Sequence, residues 1–198
     1  MKWLTADGLA AALAVGTATT WGLGVGGLGL LVTFFVTGSL VTQISGGAGG
    51  QRNARQVIAN GGAAAVAALF GSWYGAAGAL AAATADTWAT EIGSYSRVPP
   101  RMITTGESVT TGTSGAITFL GSAGGVVGAV VIGALAALLT TRGWRLALVT
   151  AASGVIGMMA DSLCGATLQR RNLLDNDAVN LVATVLGCGV ALLGSLVI

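Results

Sequence analysis

Four acidic residues sit in or beside stretches that are otherwise built from Ala, Gly, Val and Leu: Asp86, Glu91, Asp161 and Asp177. Ionisable groups in apolar segments are costly to keep and are functional candidates by default. Each belongs to a polar row at helical spacing. Asp86 pairs with Thr90, and Thr87 with Glu91; Asp161 is followed by Gly165 and Gln169, and Asp177 by Asn180 and Thr184. A further row, Arg52, Gln56 and Asn60, recurs at every fourth residue. Residues at this spacing share a helix face. Carboxylates brought together in a dry site repel one another unless a cation neutralises them. Mg²⁺ suits such a set, because it binds one or two carboxylates and completes its shell with water and substrate phosphates. Arg52, Arg55, Arg97, Arg101, Arg170 and Arg171 can engage phosphate through two parallel hydrogen bonds. The run Ser108 to Gly115, rich in Thr, Ser and Gly, supplies hydroxyls and free N–H groups ahead of a helix, a natural anion site. Together these are the parts used in phosphoryl transfer, where positioning and charge neutralisation carry most of the catalysis. Taken singly, Asp86 and Asp161 could instead pair with arginines to lock a bundle.

The surrounding composition dictates what positions these groups. The 198 residues are 54% hydrophobic and 8% charged, with a mean hydropathy of +0.81. A soluble domain carries about 25% charged residues, so this chain cannot cover a water-facing surface and its solvent is lipid. Glycine is abundant, at 33 residues, and small residues let membrane helices approach closely. The chain has no His, which removes imidazole acid–base chemistry and imidazole metal ligands. Cys164 and Cys188 lie in apolar segments and read as small hydrophobes. No basic stripe with interleaved aromatics supports nucleic-acid binding. The apolar run after Lys2 outlasts a signal-peptide core and reads as a first span.

A span needs about 20 apolar residues. The sequence predicts an all-α, polytopic membrane bundle in one domain over 1–198, with about seven spans near 4–20, 23–44, 54–71, 73–93, 114–140, 144–168 and 177–197. The first two are blurred by Gly22, Gly24, Gly26 and Gly27. Orientation follows the basic residues of the connections. Lys2, Arg52, Arg55, Arg97, Arg101, Arg170 and Arg171 share one side, against Arg142 and Arg145 on the other. That bias predicts the N-terminus inside and the C-terminus outside, and it brings all four polar rows to the cytoplasmic face. The longest connection, Ser94 to Thr113, falls on that face too, and long loops in compact bundles are often functional. Ala85-Asp86-Thr87 is echoed by Ala160-Asp161-Ser162, on spans running the same way, as in a pseudo-symmetric pair of Asp-bearing helices.

Several stretches carry a family resemblance: Arg55 to Gly61, Asp86 to Gly93 (Asp-Thr-Trp-Ala-Thr-Glu-Ile-Gly), Pro100 to Thr105, Gly112 to Gly115, Asp161 to Gln169 and Asn176 to Asn180. From the first span to the end, the chain resembles the integral-membrane family that includes plant phytyl-phosphate kinase and vertebrate transmembrane protein 19. The resemblance implies phosphorylation of an isoprenyl monophosphate to the diphosphate. The related dolichol and phytol kinases use CTP as donor. By this analogy Asp86 and Asp161 hold Mg²⁺, with Asp177 a further candidate ligand, and Asp86, Glu91, Arg101 and Asp161 form the catalytic set. Arg101 with Thr104, Thr105, Thr110, Gly112, Thr113 and Ser114 would hold nucleotide phosphates. Arg55, Gln56 and Asn60 would meet the lipid phosphate, with Arg52, Gln169 and Asn180 as further phosphate-site residues. The implied partners are CTP or another nucleoside triphosphate, an isoprenyl phosphate lipid and the bilayer, at the plasma membrane with a cytoplasmic site; oligomerisation is left open. Two other classes remain: a lipid cytidylyltransferase releasing pyrophosphate, and an ion-coupled transporter or lipid carrier using the same carboxylates.

Overall fold

The computed structural model describes residues 3–46 and 50–197, so Lys2 of the orientation count lies outside the described residues. Its helices are α1 (Ala6–Ile44), α2 (Ala54–Leu69), α3 (Trp73–Gly93), α4 (Phe119–Leu138), α5 (Gly143–Cys164) and α6 (Asn176–Gly194), with a π-helical turn at Gly165–Gln169 closing α5. Side-chain caps explain most of the starts. Thr5, Ser72, Thr118 and Asp175 each accept a hydrogen bond from an N–H of the first turn. Asn53 and Gln56 form a reciprocal capping box at the head of α2, satisfying two N–H groups that have no partner within the helix.

The two expected spans at 4–20 and 23–44 form one continuous element broken at a single residue, Gly24, with φ +66° and ψ −162°. Only glycine takes this backbone conformation without strain. The break therefore sits two residues beyond Gly22, which is itself helical. The two halves, 6–23 and 25–44, double back on each other. A Cβ on Gly8 would stand 2.1 Å from the Arg52 carbonyl oxygen, and one on Gly22 would stand 1.8 Å from that of Ala68. The first half thus runs alongside α2 from one end to the other at backbone contact. The second half returns, so that Gly38 comes back to the Arg52 guanidinium and Phe35 meets Trp3 edge-on with ring centroids 5.7 Å apart.

The centre of the bundle is α3, which packs against α1, α2, α4, α5 and α6. Its residues from Gly75 to Ala85 are all buried. Close approach is possible because the facing residues are small. A Cβ on Gly78 would lie 2.5 Å from the Gly187 carbonyl oxygen, and one on Gly157 would lie 2.4 Å from the Ala82 Cβ. Cross-helix bonds add register: Thr184 Oγ1 on α6 donates to the Ala59 carbonyl on α2 at 2.8 Å.

Four elements are long and apolar enough to cross a membrane by length and composition: Ala6–Ile44, Phe119–Leu138, Gly143–Gln169 and Asn176–Gly194. The other two expected spans fall short for separate reasons. Helix α2 has 16 residues, and α3 is Ala- and Gly-rich because protein, not lipid, surrounds it. Trp21, Val25, Val127, Leu148 and Val185 stay exposed on the outer faces, as a lipid-facing surface requires. The chain is a helical membrane protein.

Among the described residues, one feature departs from an all-α chain. The connection 94–118 contains two short antiparallel strands, β1 (Arg101–Met102) and β2 (Ala116–Ile117), paired Arg101 to Ile117 and Met102 to Ala116. Residues 114–118, expected to open the fifth span, belong to this folded loop, and α4 begins at Phe119. The loop is held down on α5: Gly115 has φ +78°, and a Cβ there would lie 2.3 Å from the Ala166 nitrogen, inside the π turn.

Candidate functional site

The chain reversals gather one set of helix ends. Thr5 and Arg52 pair through their backbones, the Thr5 N–H donating to the Arg52 carbonyl at 3.2 Å, and the Arg52 N–H donates to Trp3 at 2.9 Å. Tyr95 Oη donates to the Ile44 carbonyl at 2.6 Å, and Ser45 Oγ donates to Glu91 Oε2. The end of α1, the start of α2, the end of α3, the folded loop, the start of α4, the π turn and the start of α6 thereby surround one cavity of about 940 Å³. This volume falls within the range of roughly 300–1,000 Å³ typical of small-molecule sites.

Asp86 and Asp161 both line it. They sit on neighbouring helices that run in the same direction, and their carboxyl groups interact directly. Asp161 Oδ2 is buried without a hydrogen-bond partner, an arrangement that costs free energy unless something fills the vacant valence. Arg52, Gln56 and Asn60 line the same cavity. The Arg52 guanidinium lies over the Phe35 ring, 5.5 Å from its centroid. Burial pushes Arg52 down from its ordinary value, against the opposing pull of the Glu91 charge. The capping box fixes Gln56, and Asn60 Nδ2 donates to the Gln56 carbonyl at 2.9 Å. Glu91, Gly112, Thr113, Ser114, Gln169 and Asn180 complete the expected residues that reach this space.

The others lie elsewhere. Arg55 is exposed and ion-paired with Asp175 at 2.5 Å and with Asp177 at 3.7 Å, so Asp177 faces Arg55 rather than the Asp86–Asp161 pair. The Asp175 carboxylate is held below its usual range by the Ala178 N–H and by Arg55. Arg101 is exposed, and its Nη1 donates to the Gly106 carbonyl at 2.8 Å. Thr104 and Thr105 are exposed in the turn between Met102 and Glu107. Thr110 is exposed and hydrogen-bonds Thr113, 3.1 Å away. Among the described residues no three His, Cys, Asp or Glu side chains gather at one point.

The sequence profile of the family described as Integral membrane protein DUF92 matches residues 1–188. The chain belongs to that family. Among its relatives, Uncharacterized membrane protein MJ0933 of Methanocaldococcus jannaschii is 40% identical over 171 residues, covering 80% of this chain and 71% of the relative. Protein PGR of Arabidopsis thaliana is 30% identical over 182 residues, covering 71% of this chain and 63% of the relative. Protein VTE6, chloroplastic, from the same plant, is 29% identical over 216 aligned positions, covering 96% of this chain and 65% of the relative. The chain thus spans just under two thirds of the length of the two plant relatives. No solved structure matches it.

This DUF92 chain also places in the cavity residues that the polar rows did not single out. Ser39 and Thr42 come from the returning half of α1, Thr118 and Ser122 from the first turn of α4, and Asn53 and Asn176 from the heads of α2 and α6. The signal was present as hydroxyls four residues apart at 118 and 122, but isolated hydroxyls are ordinary in membrane helices, where they bond the carbonyl one turn back, as Thr84 and Thr87 do here.

Proposed function

We propose that the chain is a nucleotide-dependent kinase of a membrane isoprenyl monophosphate, with CTP as the favoured donor and the prenyl diphosphate as product. The observation carrying this reading is the Asp86–Asp161 pair with its unpartnered Asp161 oxygen, facing Arg52, Gln56 and Asn60 within one cavity. The family resemblance described above supplies the substrate class.

Two carboxylates without His or Lys fit Mg²⁺, which needs few protein ligands when phosphates and water complete its shell. Asp86 and Asp161 would hold it, and its charge would neutralise donor phosphates. The protein's own part is positional. Arg52, Gln56 and Asn60 hold the acceptor phosphate, while the Gly112 N–H and the Ser114 N–H and hydroxyl receive donor phosphates; the Thr113 N–H and hydroxyl donate to the Thr110 carbonyl and shape that turn. An oxygen of the acceptor phosphate forms a bond to the donor's γ-phosphorus. The bond from that phosphorus to the bridging oxygen breaks, and the nucleoside diphosphate leaves with the electron pair. The attacking oxygen is already anionic, so no general base is required. The basic residues of the connections favour a cytoplasmic site, and the plasma membrane is the location we propose.

The decisive assay supplies γ- and α-labelled CTP with phytyl, geranylgeranyl and longer prenyl monophosphates to sealed vesicles of known orientation. CDP and labelled prenyl diphosphate, formed only where the proposed cytoplasmic face meets the added nucleotide, are the expected products. Pyrophosphate would mark a cytidylyltransferase instead, and no turnover of any nucleotide would leave transport. Turnover only from the opposite face would overturn the orientation.

A further inference from the structure

We propose that the groove between the two halves of α1 and α2 holds the hydrocarbon tail of a single-chain phosphorylated lipid, whose phosphate lies against Arg52, Gln56 and Asn60. The identity of that phosphate rests on the kinase reading; the groove itself does not. A second cavity, of about 150 Å³, is walled by Ala12, Val15, Leu28, Leu31, Val32 and Val57. It adjoins the polar cavity, because Phe34, Arg52, Gln56 and Asn60 line both. An amphiphile laid across this boundary would meet a cation and two amides at one end and only hydrocarbon beyond it.

Two further features fit a tail in this place. The groove opens outward, since Val32 on its wall is 47% exposed, so a longer chain can continue into the bilayer. Glycine keeps the floor low: a Cβ on Gly16 would meet only Leu28, at the ordinary contact distance of 3.9 Å, which leaves space where a larger residue would fill the groove. A groove of about 150 Å³ suits one chain rather than two, favouring an isoprenyl phosphate over a diacyl phosphatidate. Matching a charged head to the polar cavity and a tail to the apolar one follows the usual economy of amphiphile sites, in which a few polar groups orient a mostly apolar ligand.

The test uses the full chain in nanodiscs, without nucleotide. The probe is geranylgeranyl monophosphate carrying a diazirine on its second isoprene unit, with labelled residues located by mass spectrometry. Saturable labelling is expected within residues 12–16 and 28–35, competed by unlabelled geranylgeranyl monophosphate and not by dioleoyl phosphatidate. Gly16→Phe is expected to reduce that labelling at least tenfold; Leu28→Phe, which enlarges an apolar side chain already lining the groove, serves if Gly16→Phe does not assemble. Labelling spread over the outer faces of α4 to α6, or labelling that phosphatidate competes equally, overturns the proposal. Groove labelling without nucleotide turnover would retain the groove and reject the kinase; turnover with labelling elsewhere would do the reverse.

Discussion

Asp86→Asn and Asp161→Asn are each expected to cut turnover by at least about 100-fold, the scale on which removal of one group that stabilises transition-state charge is felt. Asn matches Asp in shape, so the helices should pack as before and expression should stay near normal. The two carboxylates interact and act as one unit, so the double variant should be scarcely worse than either single one. Asp177→Asn is the control, because that side chain faces Arg55 on the outside of the site. Initial rates in nanodiscs across a Mg²⁺ titration provide the measurement. Full activity in both Asp86→Asn and Asp161→Asn would reject the carboxylate pair as the cation site.

Arg52→Gln should raise KM for the lipid phosphate by roughly 10- to 100-fold, since a hydrogen bond to a charged group is worth about 1.5–3 kcal/mol. Its guanidinium lines the cavity, lies over Phe35 and, among the described residues, has no carboxylate within salt-bridge distance. Arg52→Lys should recover part of the loss, because it keeps the charge but not the planar fork. Arg55→Gln, by contrast, removes an exposed ion pair and should alter KM by less than about threefold, as exposed pairs usually contribute little. Comparable effects at Arg52 and Arg55 would move the phosphate site outward, toward the head of α6.

The contrast between these two arginines shows how far the sequence alone could be read. Spacing placed Arg52, Gln56 and Asn60 on one line, and all three reach the cavity although Arg52 precedes the helix. Spacing could not tell that Arg55 would turn to Asp175, because that ion pair joins residues 120 positions apart. The helices between Gly50 and Gly93 were legible to within two residues, since caps and apolar runs coincide there. The fifth span was expected to begin at 114, because Ala116 and Ile117 stand just ahead of the apolar run from Phe119. Their pairing with Arg101 and Met102, and the anchoring of Gly115 on the π turn, depend on tertiary contact. The reversal at Gly24 was hidden for a related reason: among several glycines, only the fold decides which one turns. The echo of Asp86 in Asp161 was short as a sequence match, yet the two residues meet because α3 and α5 run in the same direction side by side.

What sets the distance between those carboxylates is uncharged. Ala82 lies four residues before Asp86, Gly157 lies four residues before Asp161, and at this level the two helices are so close that a Cβ on Gly157 would stand 2.4 Å from that of Ala82. Residues four apart stack along one helix face, so this contact acts as a calliper one turn below the acidic pair. Mg²⁺ holds its ligands at about 2.0–2.1 Å and tolerates little deviation, whereas Ca²⁺ accepts about 2.3–2.6 Å. On the kinase reading, discrimination by ionic radius would then be written in a hydrogen atom: the side chain of Gly157, which does not line the cavity.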